Sequence, residues 1–241
     1  AVNLASCLAE KGKKTLLIDL DPQGNTTSGL GMEVDDKSIY EVIMGRMKLT
    51  DVMEETEFKN LSIAGSDVRL ANAELELVEV EKREYRLKTA VQSVQQDFDF
   101  IFIDCPPSLG LLTINALGAA DSVLIPIQCE YYALEGVASL MNTISRVKKT
   151  INPHLEIEGV LLTMLDGRTN LGLQVVDEVK KHFKKQVYAT VIPRSVRLGE
   201  APSHGEPIHV YDKRSAGCVA YVNLAKEVLK RNNIKVKEFK L

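Results

Sequence analysis

The sequence Leu16-Leu17-Ile18-Asp19-Leu20-Asp21-Pro22-Gln23-Gly24-Asn25 joins a short apolar run to an acidic turn. An unbroken run such as the one from Thr15 to Ile18 is typical of a strand buried on both faces of a parallel sheet. Because side chains alternate along a strand, Asp19 and Asp21 share a face at its carboxyl end. Ligands of open α/β sheets bind at that edge, so both aspartates are candidate site residues.

Similar apolar runs recur along the chain, and helical patterns separate most of them. The further predicted strands cover 61–64, 100–103, 123–127, 159–162 and 187–192. The predicted helices cover 1–11 with Gly12 as its stop, 38–44, 68–96 with a break, 134–148, 171–183 and 216–229. This alternation predicts one α/β domain over 1–241, with a mainly parallel twisted sheet and helices on both of its faces.

The composition limits the class of protein. Of the 241 residues, 45% are hydrophobic and 26% are charged, which indicates a globular domain with a core rather than a disordered chain. The formal net charge of -3 excludes a uniformly basic nucleic-acid binder but not a local basic patch. No apolar run approaches the roughly 18 residues that predict a membrane span. The cysteines and histidines lack metal-ligand spacing, so we expect no zinc site and no disulfide framework, and a reducing cytoplasm.

A second predicted strand also ends in an aspartate, in the sequence Ile103-Asp104-Cys105-Pro106-Pro107-Ser108-Leu109-Gly110. An aspartate directly after a buried strand is the Walker B arrangement, in which the carboxylate holds Mg²⁺, usually through water, beside nucleotide phosphates. Each aspartate alone is also compatible with a simple turn cap. Two such strand ends in one alternating fold favour a site for magnesium and phosphate.

The sequence lacks the phosphate cradle that such a site needs. A phosphate-binding loop requires a glycine-rich turn between a strand and a helix, with a lysine and a Ser or Thr. The segment Gly24-Asn25-Thr26-Thr27-Ser28-Gly29 follows a strand but has no lysine, so we interpret it as a false match. Residues 1–11 have helical spacing without an N-cap, so we expect a strand and a phosphate-binding loop to precede residue 1 in the natural protein. Residues 1–241 alone are expected to bind ATP poorly.

Several ordered blocks of the sequence resemble the ParA/Soj family of chromosome-partitioning ATPases. The blocks are residues 16–25, 103–110, Gln128-Cys129-Glu130-Tyr131-Tyr132-Ala133-Leu134-Glu135-Gly136, 162–170 and 192–205. The resemblance runs from near residue 1 to about Lys230. It implies a P-loop NTPase fold of the MinD-like class in which the first strand and the P-loop are not present in this sequence.

The resemblance also implies ATP and Mg²⁺ as ligands, and an ATP-dependent homodimer that holds two nucleotides between its subunits. Asp21 matches the aspartate that positions or activates the attacking water, Asp104 matches the Walker B magnesium residue, and Asp19 supports the same site. The segment 104–110 is then a switch that senses the γ-phosphate. The residues that match the surroundings of adenine are Met164, Pro193, Arg194 and Val196.

In the dimeric state such proteins bind DNA without sequence preference, and Arg168 and Arg197 match the arginines that carry this binding in Soj-like proteins. Helical spacing places a group of lysines on one side of the helix from Leu171. The group contains Lys180, Lys181, Lys184 and Lys185, of which Lys180 and Lys184 are predicted DNA contacts. The expected partner is a ParB/Spo0J-type centromere-binding protein, whose basic peptide stimulates hydrolysis and releases the protein from DNA. The expected location is the cytoplasm, on the nucleoid, without stable membrane association.

Two other functions stay open from the sequence. A MinD-like membrane-cycling ATPase shares the fold and anchors through a C-terminal amphipathic helix. The tail from Lys226 to Leu241 is basic, but residues 236–239 alternate and give no broad apolar face, which favours DNA over membrane. If residue 1 is the true start, the chain is instead a nucleotide-free, degenerate interaction protein. A reductase or amidoligase of the same class would need cluster-binding cysteines or a substrate pocket, and neither signature is visible.

Overall fold

The structure is a computed structural model that describes residues 1–130 and 133–234. In that part of the chain the strands are β1 (Thr15–Asp19), β2 (Met53–Glu55), β3 (Leu61–Ala64), β4 (Phe100–Asp104), β5 (Ser122–Gln128) and β6 (Glu156–Thr163). The first six α-helices are α1 (Val2–Glu10), α2 (Asn25–Ser28), α3 (Ile39–Ile43), α4 (Leu49–Val52), α5 (Leu70–Glu76) and α6 (Arg86–Gln92). They are followed by α7 (Leu111–Ala119), α8 (Ala133–Thr150), α9 (Asn170–Phe183), α10 (Val196–Glu200), α11 (Ile208–Tyr211) and α12 (Ala216–Arg231). Short 3₁₀ turns cover Arg83–Tyr85, Lys184–Gln186 and Ala201–His204.

The strands form a mainly parallel α/β architecture, as the alternation of patterns predicts. One sheet has the order β2-β3-β1-β4, in which β1 pairs in parallel with β3 and β4, while the short β2 is antiparallel to β3. A second sheet is the parallel pair β5 and β6. The alternation signal does not predict β2, because a three-residue edge strand is too short to show it.

Strand β1 lies at the centre of the core, and its five residues are all buried. Leu16 and Ile18 face a cluster that includes residues of α3 to α7, whereas Leu17 packs with Ala5 and Ala9 of α1 on the other face. The alternating side chains of one apolar strand therefore hold helices on both faces of the sheet.

Strand β4 is buried less than its neighbour β1, since all five of its residues are only half-buried. Within the described residues, β4 pairs with β1 alone, and β5 pairs with β6 alone. Phe100 and Phe102 of β4 and Leu124 of β5 pack against one common cluster, so both sheets contribute to a shared core. An apolar strand with an unpaired side leaves backbone N–H and C=O groups available to a further strand.

The predicted strand over 187–192 is wrong. The segment contacts β6 through the N–H of Tyr188, bonded to the Val160 carbonyl at 2.8 Å, and the N–H of Ile192, bonded to the Leu162 carbonyl at 2.9 Å. Between these contacts the N–H groups of Ala189 and Thr190 bind the Glu227 carboxylate instead of a strand. The Glu227 side chain of α12 thus accepts the hydrogen bonds that a neighbouring strand would otherwise accept from the middle of this segment.

Gly159 in β6 occupies a position where any side chain would collide. A Cβ atom there would lie 2.6 Å from Tyr188 Cε2 and 2.8 Å from the Gln186 carbonyl oxygen. The Arg231 guanidinium, 3.7 Å from the centroid of the Tyr188 ring, closes the same space. We expect Gly159→Ala to lower the free energy of unfolding by about 1–3 kcal/mol, because overpacking forces the backbone to shift.

Urea denaturation measures this change in unfolding free energy, and Gly199→Ala is the matched control. A Cβ atom at Gly199 meets nothing within 4 Å, so that substitution in α10 should leave the stability equal or slightly higher. Equal unfolding free energies for Gly159→Ala and the unmodified protein would contradict the packing described for β6.

Candidate active site

Two aspartates stand side by side at the carboxyl ends of β1 and β4. The parallel register of these strands pairs Asp19 with Asp104, after apolar residues that fix both strands in the core. Asp19 is fully buried, whereas Asp104 is half-buried. The predicted meeting of the two strand-end carboxylates is therefore present in the structure.

The Asp19 carboxylate is enclosed by donors from its own loop. It accepts hydrogen bonds from the Thr27 N–H at 2.9 Å, the Thr27 hydroxyl at 2.7 Å and the Asp21 N–H at 3.2 Å. Burial raises the pKa of Asp19, and the neighbouring Asp104 adds to the rise, while the hydrogen bonds from Thr27 and Asp21 oppose it. Asp19 therefore shapes the turn that carries Asp21 rather than facing a ligand.

Asp104 has a different environment from Asp19. In the described part of the chain, one side-chain donor reaches its carboxylate, the Thr26 hydroxyl, at 2.6 Å from Oδ2. Because the residue is half-buried and not enclosed, Asp104 is the better placed of the two carboxylates to meet a ligand at the edge of the sheet.

Asp21 lies on the turn that follows β1, and it is half-buried. Its Oδ1 accepts a hydrogen bond from the Gln23 N–H at 3.0 Å, and its carbonyl accepts one from the Gly24 N–H at 2.9 Å. Gly24 has a φ of 64°, a left-handed conformation that glycine adopts without steric cost, and this reverses the chain into α2. The turn thus presents Asp21 at the same edge as Asp104.

Thr26 and Thr27 are not among the predicted site residues, because residues 24–29 resemble a phosphate-binding loop only superficially. In the structure both threonines are buried in α2, and their hydroxyls hold the two strand-end carboxylates. The Thr27 hydroxyl also accepts a hydrogen bond from the Ser66 N–H at 3.0 Å. Two adjacent hydroxyl residues directly after an Asp-rich turn are the signal that would have indicated this role.

The residues at this edge fit magnesium better than a metal held by protein ligands alone. In residues 1–130 and 133–234, no group of three or more His, Cys, Asp or Glu side chains is placed to hold a metal ion. Mg²⁺ is usually bound by one or two carboxylates, with water and substrate phosphates as its other ligands. Asp104 is the residue that would supply such a carboxylate, since Asp19 is fully buried and bound by the donors of its own loop.

The segment from Asp104 to Gly110 connects this edge to α7. At the start of α7, Glu74 accepts a hydrogen bond from the Leu112 N–H at 3.2 Å, and the Thr113 hydroxyl donates to the Ser108 carbonyl at 2.6 Å. Leu109 is 38% exposed although it is apolar. The segment is thus joined to the start of α7 through Ser108, residues 107–109 are exposed, and its role as a γ-phosphate switch stays a prediction.

The residues predicted to surround adenine meet at the end of β6. Met164 follows β6 with a φ of 53°, and the next residue, Leu165, forms an isolated parallel bridge with Pro193. The Arg194 N–H donates to the Leu165 carbonyl at 3.0 Å. Val196, the first residue of α10, is 77% exposed. The structure therefore brings Met164, Pro193 and Arg194 together and leaves Val196 on the surface beside them.

Glu227 of α12 holds the backbone that leads to this region. Its carboxylate accepts hydrogen bonds from the N–H groups of Ala189 at 2.8 Å and Thr190 at 2.9 Å, and pairs with Arg231 at 3.0 Å. Burial alone would raise the pKa of Glu227, but these hydrogen bonds and the charge of Arg231 outweigh it and lower the pKa below its ordinary value.

We expect Glu227→Gln to lower the free energy of unfolding at pH 7 by about 1–3 kcal/mol, because the N–H groups of Ala189 and Thr190 and the guanidinium of Arg231 lose their charged acceptor. A lowered pKa means that the ionised group stabilises the fold above the ordinary value of 4.5, and that this contribution is lost as the pH falls. The difference between the two proteins should therefore shrink at pH 3.5. Denaturation at both pH values measures it, with the exposed Glu57→Gln as control. A difference that stays constant with pH would show that the charge of Glu227 has no such role.

The two arginines predicted to bind DNA are exposed and paired with acidic residues. Arg168 is 89% exposed and makes a two-pronged pair with Asp166, at 2.9 Å and 2.8 Å. The hydrogen bonds from Arg168 lower the pKa of Asp166 to about 2. Arg197 pairs with Glu200 at 2.9 Å and with Asp212 at 3.4 Å.

The prediction that four lysines lie on one side of a single helix is wrong for Lys184 and Lys185. Lys180 and Lys181 lie exposed on the last turn of α9, but α9 ends at Phe183. Lys184 has a φ of 49° and begins a 3₁₀ turn, so Lys184 and Lys185 do not continue the helical spacing. The lysines stay close in sequence, and their role in DNA binding stays a prediction.

Cys7, Cys105, Cys129 and Cys218 are free thiols in the described structure. Among the described helices, none combines the length and the apolar character needed to cross a membrane. The block at residues 128–136 and the tail to Leu241 include residues outside the described ranges, namely 131–132 and 235–241.

Comparison with known proteins gives consistent matches over nearly the whole chain. A family model described as an AAA domain matches residues 1–157. The sporulation initiation inhibitor protein Soj of Bacillus subtilis is 58% identical over 230 residues, which cover 95% of this chain and 91% of that protein. The chromosome partitioning protein ParA of Myxococcus xanthus is 50% identical over 237 residues, which cover 98% of this chain and 84% of that protein.

Among solved structures, a cobyrinic acid a,c-diamide synthase from Mycobacterium smegmatis with bound ADP and magnesium is similar in fold. It superposes with a TM-score of 0.84 at 35% sequence identity, and the match covers 96% of this chain and 87% of that chain. The identity to the two partitioning proteins is higher than the identity to this synthase.

Proposed function

The chain belongs to the ParA/Soj family of chromosome-partitioning ATPases, and from this we propose that it couples ATP hydrolysis to attachment to DNA. With ATP and Mg²⁺ it forms a homodimer that binds DNA without sequence preference. A ParB/Spo0J-type partner stimulates hydrolysis, and the protein then leaves the nucleoid. The observation that carries the proposal is the pairing of Asp19 with Asp104 in register, below the turn that bears Asp21.

The three aspartates have separate roles in this proposal. Asp104 would hold Mg²⁺, and the ion would neutralise charge on the phosphate oxygens when bound. Asp21 orients the water that attacks the terminal phosphate, since in-line attack needs a carboxylate or amide placed beside the nucleophile. Asp19, closed off by Thr27, keeps the turn of Asp21 at a fixed distance from β4.

The adenine ring is proposed to lie against Met164, Pro193, Arg194 and Val196. Met164 is 36% exposed and Val196 is 77% exposed, so both offer apolar surface that a base can cover. The neighbouring Pro193 is fixed by its bridge to Leu165, which gives the base a rigid wall. Burial of apolar surface against an aromatic ring is the usual source of base affinity in such pockets.

Within residues 1–130 and 133–234, one side of β4 has no partner strand, and this supports the expectation that a further strand belongs beside it. A strand placed there, followed by a phosphate-binding loop before α1, would bring the loop to the edge that Asp104 occupies. Calorimetric titration of ATP and Mg²⁺ into residues 1–241, and into a chain with a phosphate-binding loop ahead of Ala1, tests this. We expect tight binding only to the second, and tight binding to residues 1–241 would overturn the expectation.

DNA binding is proposed to use Arg168 and Arg197, with Lys180 and Lys184 as further contacts. The acidic partners of both arginines do not prevent this, because exposed ion pairs contribute only about 0–1 kcal/mol and a DNA phosphate can take their place. A dimer presents the set twice, which adds phosphate contacts and steepens the dependence of binding on salt.

Nucleotide-dependent retention on DNA tests the proposal in the full-length protein, meaning this chain with any residues that its gene encodes ahead of Ala1. We expect retention on DNA with ATP, none with ADP, and slow phosphate release that a centromere-binding partner increases. Retention that ignores the nucleotide would contradict the proposal. Sedimentation with liposomes in place of DNA would indicate the membrane-cycling alternative. If the full-length protein does not bind ATP at all, the chain is instead the degenerate interaction protein.

A further inference from the structure

Two adjacent threonines in α2, Thr26 and Thr27, make different hydrogen bonds to the two strand-end carboxylates. The Thr27 hydroxyl donates to Asp19 and accepts from the Ser66 N–H, and its own N–H also donates to Asp19. Asp19 is fully buried and holds three such bonds, so this half of the pair is complete within the protein. These hydrogen bonds hold the turn that follows β1.

The second carboxylate, that of Asp104, has fewer hydrogen bonds than Asp19 among the described residues. The Thr26 hydroxyl lies 2.6 Å from Asp104 Oδ2, and Thr26 itself is 4% exposed, so the bond is partly buried. It joins residues 78 positions apart in the chain and links α2 directly to the end of β4. Asp104 is half-buried, and the described residues offer its carboxylate no second side-chain donor. Thr26 therefore fixes one carboxylate oxygen of Asp104, and the other oxygen has no side-chain donor among the described residues.

We propose that Thr26 is a positioning residue that orients the Asp104 carboxylate for magnesium, an inference that rests on the proposed function. Partners of a metal-binding carboxylate fix its rotation, and their loss typically weakens metal binding by about 10- to 100-fold. Thr26 also lies in α2, directly after the turn that carries Asp21 and that Gly24 closes. The same hydroxyl thus fixes the spacing between the carboxylate for the metal and the carboxylate for the water.

The experiment uses Mn²⁺ as the probe, titrated into the full-length protein with bound ADP and followed by electron paramagnetic resonance. Thr26→Val keeps the shape of the side chain but removes the hydroxyl, and we expect it to weaken Mn²⁺ binding about 10-fold. Thr26→Ser retains the hydroxyl and should restore the affinity. Binding of ADP without metal should be equal in all three proteins, because only the carboxylate is disturbed.

Thr15→Val is the matched control for removal of a buried hydroxyl. Thr15 is fully buried at the other end of β1, where its hydroxyl donates to the Lys13 carbonyl at 3.0 Å, and its loss should leave Mn²⁺ affinity unchanged. Equal affinities for Thr26→Val and the unmodified protein would overturn the inference, and so would a loss in Thr26→Ser as large as that in Thr26→Val.

Asp104→Asn separates this inference from the proposed function. If Asp104→Asn abolishes Mn²⁺ binding while Thr26→Val leaves it intact, the magnesium site stands and the positioning role of Thr26 is wrong. If Asp104→Asn itself leaves Mn²⁺ binding intact, the proposed magnesium site fails, and the inference fails with it.

Discussion

Replacement of Asp21 by asparagine is expected to lower the rate of ATP hydrolysis by about 10²- to 10⁴-fold, the usual contribution of a positioned acid or base. The amide keeps the shape of the side chain and can still accept the Gln23 N–H, so the turn should persist. It cannot take up a proton from the attacking water as a carboxylate can. Single-turnover release of phosphate from the full-length protein measures the effect.

The substitution at Asp21 should separate hydrolysis from binding. Asp104 and Arg168 are unchanged in the variant, so affinity for ATP and retention on DNA with ATP are expected to persist, and the bound state should last longer. The control is Asp121→Asn, which alters an exposed aspartate at the amino end of β5. Hydrolysis at the normal rate in Asp21→Asn would remove this residue from the mechanism.

Reversal of charge at both Arg168 and Arg197 is expected to abolish ATP-dependent binding to DNA. Each arginine that contacts a phosphate contributes about one unit to the slope of log affinity against log salt. A dimer that lacks two arginines per subunit should thus lose about four units of that slope, and it gains repulsion from four glutamates. Retention on DNA over a series of salt concentrations measures both the affinity and the slope.

Hydrolysis of ATP in the absence of DNA should be unchanged in the Arg168→Glu and Arg197→Glu double variant, since the acidic partners of the two arginines are Asp166, Glu200 and Asp212 and not the aspartates of the proposed site. A double variant of Arg146→Glu and Lys149→Glu, both exposed on α8, carries the same change in net charge. It should keep DNA binding if position matters more than total charge. Normal retention of the Arg168 and Arg197 variant at low salt would refute the assignment of these arginines.

The paired aspartates could be predicted from sequence because their signal is local. An apolar run of strand length followed by Asp gives both the strand and its end, and parallel strands bring such ends to one edge. The structure confirms this for β1 and β4. The end of α1 is likewise predicted from a local signal, Gly12, whose φ of 80° is in the left-handed region.

Features that depend on distant side chains could not be predicted in the same way. Thr26 shows its role only through Asp104, which lies 78 positions away. The segment 187–192 has the composition of a strand, but Glu227 of α12 takes up the N–H groups that a strand would donate. Lys184 shows another limit, since periodicity alone does not indicate that the backbone leaves the helix there.

The proposal depends on Asp21 and Asp104 facing the phosphates and the metal of a bound nucleotide, with the buried Asp19 holding the turn that carries Asp21. Crystals of the full-length protein grown with an ATP analogue and Mn²⁺ test it directly, because anomalous scattering locates the metal. We expect a metal peak at the carboxyl ends of β1 and β4, bound to Asp104 directly or through one water, with Asp21 facing the terminal phosphate. A peak elsewhere, or aspartates turned to solvent and remote from the nucleotide, would contradict it.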